Sequence, residues 1–157
     1  MTRWLAKVFA VVVLAPTLAA CGGGGNGKKD GGDPDGGVTY EPTYESISSN
    51  ILRGCAASKS CHAADNLIGE VVLDPATAYP TLLNQETKDL PGWKYVVPGD
   101  PDSSYLYLKI TGDYVQACAQ EGVADCGERM PLNGELPQAA LDAVRDWILA
   151  GAPETSM

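Results

Sequence analysis

The chain has 157 residues, with 20 Asp and Glu against 11 Lys and Arg and a formal net charge of −9. That acidic balance excludes nucleic acid and anionic lipid headgroups as electrostatic partners. It suits a basic or neutral partner, or solubility alone.

At the N-terminus, Arg3 and Lys7 flank the start of an apolar run over Val8–Leu14, and small residues lead to Leu18-Ala19-Ala20-Cys21. This is the pattern of a lipoprotein export signal over residues 1–20, with cleavage before Cys21 and lipidation of that cysteine. The apolar run is too short to be a convincing spanning helix. More than one acyl chain on Cys21 would anchor the protein stably to a membrane, where one would not. Cleavage leaves 137 residues, with 9 basic side chains once Arg3 and Lys7 are gone, and places them outside the cytoplasm.

Residues 21–39 are Gly-rich, carry Lys28, Lys29, Asp30, Asp33 and Asp35, and hold almost nothing apolar. Such a stretch cannot bury a core and reads as a flexible linker. Asp30, Asp33, Asp35 and Glu41 are loosely spaced like a calcium loop, but Asp35 stands where that loop needs glycine.

Residues 40–157 have the size of one small domain, and helical periodicity dominates them. The spacing predicts a helix over Thr43–Arg53, with Thr43 as N-cap, Tyr44, Ile47 and Ile51 inward, and Gly54 ending it. A second helix is expected over Pro75–Leu83, with Tyr79 and Leu82 inward. Val97-Pro98-Gly99-Asp100-Pro101 is a rigid turn, after which Asp102 or Ser103 caps a third helix to Ile110, with Leu106 and Ile110 on one face. The last helix opens at Pro137, places Ala140, Val144, Trp147 and Ile148 in one stripe, and stops at Gly151 and Pro153. The predicted fold is mostly α.

Free thiols are the exception in an exported protein, so Cys55, Cys61, Cys118 and Cys126 should be paired or chemically occupied. Cys118 and Cys126 are most simply a structural disulfide. His62 follows Cys61 directly and is the only histidine. A cysteine pair followed by histidine is the signature of covalent haem c, in which two thiols take the vinyl groups and the imidazole binds iron. The usual two-residue gap sets the thiols about 300° apart around a helical turn. Here five residues intervene, and a regular helix would set the sulfurs about 240° apart. The small residues Ala56, Ala57, Ser58 and Ser60 must then bulge out as a loop. Met130 in Arg129-Met130-Pro131 is the candidate sixth ligand, because the only other methionine after residue 20 is the terminal Met157. Methionine with histidine raises a haem potential and is a common electron-transfer pair.

In their order along the chain, several pieces resemble one family. They are Ile51-Leu52 before Cys55, Cys61-His62, Val72-Leu73 before Ala78-Tyr79, and Val97 to Pro101. They continue with Ser104-Tyr105-Leu106-Tyr107 and Lys109, Arg129-Met130-Pro131, and Trp147-Ile148 with Ala150-Gly151-Ala152. The chain resembles the cytochrome c-like domains of bacterial lipoproteins and large exported proteins, over about Ile47 to Pro153. The resemblance implies a cytochrome c-like helical fold, haem at Cys55, Cys61 and His62, Met130 as sixth ligand, and one-electron exchange with a redox partner protein. Gly22 after Cys21 lacks the aspartate that retains some lipoproteins at the inner membrane, which points toward the outer one.

The widened gap keeps a second expectation open: a haem-free interaction or structural module on the same fold, with Cys55 and Cys61 joined as a disulfide. Zinc on Cys55, Cys61 and His62 lacks a fourth ligand. A thiol-disulfide oxidoreductase lacks both its Cys-x-x-Cys spacing and a thioredoxin-like pattern. No serine triad, supported acidic pair or phosphate loop is present, so an autonomous enzyme is not expected.

Overall fold

The computed structural model describes residues 37–57, 61–64, 71–132 and 134–155. The export signal, Cys21, the linker through residue 36 and the Ser58–Ser60 part of the expected bulge lie outside the described residues.

The first helix starts where its cap predicts. Thr43 Oγ1 accepts a hydrogen bond from the Ser46 backbone N–H at 3.2 Å and opens α1, Tyr44–Ile47. A π-helical stretch, Ser48–Leu52, follows without a break, and α2, Arg53–Cys55, completes the run. Tyr44, Ile47, Ile51 and Leu52 form its buried face. Gly54 does not end it as expected. The Ala56 N–H still reaches the Leu52 carbonyl at 2.9 Å, so the last turn closes without a left-handed residue, and Cys55 is its final helical position.

The second expected helix starts later, as α3, Ala78–Asn84. Asp74 takes over the stretch around Pro75: its side chain accepts from Ala76 N–H at 2.9 Å, and its carbonyl accepts from Thr77 and Ala78. This competes with helix and makes a turn. Pro80 then falls in the first helical turn, where no N–H is needed.

Ser104, not Asp102 or Ser103, immediately precedes α4, Tyr105–Thr111. Its hydroxyl accepts from Val97 N–H at 2.9 Å and lies 2.7 Å from the Asp100 carbonyl oxygen, to which it donates, so it ties down the Val97–Pro101 turn. The inward face of α4 is Tyr105, Leu108 and Lys109, with Ile110; Leu106 is only half-buried. Gly112, at φ +96°, ends the helix in the left-handed conformation.

An unexpected helix, α5, spans Tyr114–Gln120. It buries Tyr114, Ala117 and Cys118, while Val115 points out at 61% exposure. Cys118 and Cys126 lie at disulfide distance, with their Cα atoms 6.4 Å apart, as expected for this pair. The final helix, α6, Gln138–Leu149, matches its prediction, with Ala140, Val144, Trp147 and Ile148 buried and Gly151 at φ +92° beyond its end.

α6 is the centre of the packing and carries α1 and α4 against it, while α5 packs on α4. Tyr44 meets Tyr79 edge-on at 4.9 Å between ring centres. Among the described residues there is no strand, only isolated bridges pairing Glu86 with Lys94 and Lys94 with Ser104. The fold is mostly helical. No helix among the described residues is long and apolar enough to cross a membrane.

Candidate functional site

Cys55 and His62 are brought together by the way the first helix ends. The π-helical stretch widens the helix just before Cys55; such insertions are frequent at functional sites. The Cys55 carbonyl accepts a hydrogen bond from the His62 backbone N–H at 3.1 Å. The His62 carbonyl accepts from Leu73 N–H at 2.9 Å, so the histidine backbone is pinned on both sides.

The imidazole is oriented as well. His62 Nδ1 lies 3.0 Å from the Val71 carbonyl oxygen. A carbonyl can only accept, so Nδ1 carries a proton, and of the two neutral tautomers this contact selects the one with its lone pair on Nε2. Ligating histidines are oriented in this way, with the far nitrogen tied to a carbonyl or carboxylate. The ring is half-buried.

Cys55 is a free, half-buried thiol. Burial pushes its pKa up, so it rests protonated. The expected Cys55–Cys61 disulfide of the haem-free alternative is therefore not formed. Cys61 is half-buried and, unlike Cys55, is disulfide-bonded.

Met130 lies on a separate segment, over α4. Its N–H donates to the Lys109 carbonyl at 3.0 Å, its side chain is half-buried, and its peptide bond to Pro131 is cis. The neighbouring Arg129 pairs with Glu135 at 2.6 Å and donates to the Ile110 carbonyl at 3.3 Å. Two open grooves among the described residues lie elsewhere. One, of about 410 Å³, is lined by Trp93, Lys94, Val97 and Pro98; the other, of about 250 Å³, runs along Tyr114, Val115 and the Cys118–Gly127 loop. Among the described residues no group of three or more His, Cys, Asp and Glu side chains forms a metal site.

The donor chemistry fits covalent haem in two respects and departs from it in a third, because Cys61, the second attachment position, is disulfide-bonded. His62 presents a free Nε2 lone pair held in one tautomer, and Cys55 presents a free thiol one hydrogen-bonded turn away.

Sequence reasoning missed a polar cluster beside Met130. The Tyr105 hydroxyl lies 3.1 Å from Asp89 Oδ2 and 3.0 Å from the Cys126 carbonyl oxygen. Lys109 Nζ lies 2.7 Å from the same carbonyl. Burial first, and Asp89 second, push the Tyr105 hydroxyl pKa far up; burial pulls the Lys109 ammonium down against the opposing pull of Asp89. The available signal was a lysine at the fourth position after Tyr105, inside an otherwise apolar helix face.

No family model matches the chain, and neither a curated protein nor a solved structure matches it.

Proposed function

We propose that the protein is a lipid-anchored, extracytoplasmic carrier of single electrons on covalently bound haem, built on a cytochrome c-like helical fold. Cys55 and, once reduced from its disulfide, Cys61 are the attachment thiols, His62 the proximal ligand and Met130 the sixth ligand. The observation that carries this reading is the His62 ring held through Nδ1 on the Val71 carbonyl, with its backbone N–H on the carbonyl of Cys55. That hydrogen bond fixes the tautomer in which Nε2 carries the lone pair, and it raises the basicity of Nε2 as a ligand. Haem iron supplies reversible one-electron exchange when bound. Met130 contributes a soft thioether that favours the reduced state. The acidic balance of the chain suits a basic redox partner.

The test begins with protein made in a strain with haem-attachment machinery. A Soret band that survives acid-acetone extraction supports the reading; a colourless protein of unmodified mass removes it. The haem-free module is the second reading, favoured by Cys61 being disulfide-bonded in this structure. Met130→Ala should keep covalent haem but lose the weak near-infrared band expected of ferric methionine-ligated haem, and its reduction potential should fall. Persistence of that band in the variant would rule Met130 out as the ligand.

The anchor is argued from Leu18-Ala19-Ala20-Cys21. Cys21→Ser should abolish lipidation and move the protein into the soluble or uncleaved pool. A cleaved variant that still partitions into detergent would count against lipidation at Cys21.

A further inference from the structure

α4 carries one cation turned inward. The Lys109 side chain is only 10% exposed. Its Nζ donates to the Cys126 carbonyl at 2.7 Å, lies 3.9 Å from Asp89 Oδ2, and sits 4.3 Å from the centre of the Tyr114 ring. Burying an ammonium costs several kcal/mol of desolvation, and an apolar side chain of similar volume is often no worse for stability. Packing alone therefore does not account for a lysine at this position, and what it holds becomes the relevant question.

It holds both ends of one short segment. The Lys109 side chain donates to the carbonyl of Cys126, and the backbone carbonyl of Lys109 accepts from Met130 N–H at 3.0 Å. Between those points lie Gly127, Glu128 and Arg129. Gly127 is at φ +68°, and a Cβ added there would meet Lys109 Nζ at 3.4 Å, so the ammonium lies against bare backbone. The Arg129 side chain crosses the left-handed Gly112, where an added Cβ would meet it at 3.4 Å, and then bonds the Ile110 carbonyl. The first end is also tied to α5 through Cys118.

We propose that Lys109 is a positioning residue for the Met130 thioether: its ammonium and its carbonyl together fix the Cys126–Met130 segment so that the sulfur is presented in one place. This rests on Met130 being the sixth ligand. A loop ordered before it binds loses less conformational freedom on binding, so a preordered thioether is a better ligand than the same residue on a loose loop.

Lys109→Met tests this in the full chain, because it removes the charge and keeps most of the volume. Covalent haem content should be unchanged. Amide exchange at Met130 should quicken by about tenfold or more, as for a local opening, while exchange in α6 stays as in wild type. The near-infrared band should weaken, and the potential should move toward that of Met130→Ala. Lys109→Leu, which also removes the ammonium, should act in the same direction and serves if Lys109→Met does not fold. Tyr105→Phe removes a different donor to the Cys126 carbonyl and should leave Met130 exchange nearer to wild type. A Lys109→Met protein with wild-type band, potential and Met130 exchange overturns the proposal. So does a loss of the band that comes only with equally faster exchange throughout α6, which marks general destabilisation. A colourless wild type defeats the haem reading and this ligand role with it, whereas coloured protein whose variants do not respond defeats this inference alone.

Discussion

If haem is bound as proposed, replacing His62 with alanine should leave the protein without stable haem ligation. His62 is the only histidine in the chain, so no other imidazole can take the proximal position. The ring is also held ready to ligate, with Nδ1 committed to the Val71 carbonyl at 3.0 Å and the backbone pinned to Cys55 and Leu73 on either side. Outer-shell contacts of this kind change metal affinity by about 10–100-fold on their own, so loss of the ligand itself should exceed that. The measurement is the ratio of Soret to protein absorbance in wild type and variant purified side by side, with thermal unfolding as a control. A His62→Ala protein with the same low-spin spectrum as wild type would overturn His62 as the ligand. In a haem-free module the same substitution would remove one half-buried side chain and its carbonyl contact, and would cost about 0.5–3 kcal/mol with no spectral consequence.

What could be read from the sequence follows the strength of each local signal. α6 was legible because large apolar residues recur at helical spacing between Pro137 and Gly151. α5 was not, because its inward positions are Tyr114, Ala117 and Cys118, and two small side chains make a weak stripe beside the exposed Val115. The delayed start of α3 is a contest between Pro75 as a helix opener and Asp74 as a turn former, won by the Asp74 hydrogen bonds. At the candidate site, the adjacency of Cys61 and His62 singled out the histidine, and elimination singled out Met130. The acceptor for Nδ1 was not legible: Val71 is nine residues away, and a backbone carbonyl leaves no mark in a sequence. Lys109 was hidden for the opposite reason. A lysine in a helix ordinarily keeps its head in water, and only tertiary structure shows the Cys126 carbonyl and the Tyr114 face that receive it.

Trp147→Ala should be the most destabilising single change in the described core, and this holds whether or not haem is present. The side chain is fully buried at the centre of α6, the helix against which α1 and α4 pack. Its ring lies 6.0 Å from that of Tyr44, and Nε1 donates to the Pro153 carbonyl at 2.9 Å. The chain beyond α6 is folded back onto this residue: Ala152 N–H donates to the Trp147 carbonyl at 2.9 Å, and the Ala152 carbonyl accepts from the Tyr79 hydroxyl at 2.9 Å. Truncation therefore opens a large cavity, strands the Pro153 carbonyl and loosens the closure of the C-terminus onto α3. Loss of a buried tryptophan costs about 3–5 kcal/mol, a large part of the roughly 5–15 kcal/mol that holds a domain together. For a domain of this size that corresponds to a fall of about 10–20 °C in the unfolding midpoint. Trp147→Phe keeps much of the packing and loses mainly the N–H, so it should fall between wild type and alanine. Denaturant and thermal unfolding of the three proteins decide it. A Trp147→Ala midpoint within a few degrees of wild type would mean that this tryptophan does not close the core, and the packing of α1 and α4 on α6 would have to be redrawn.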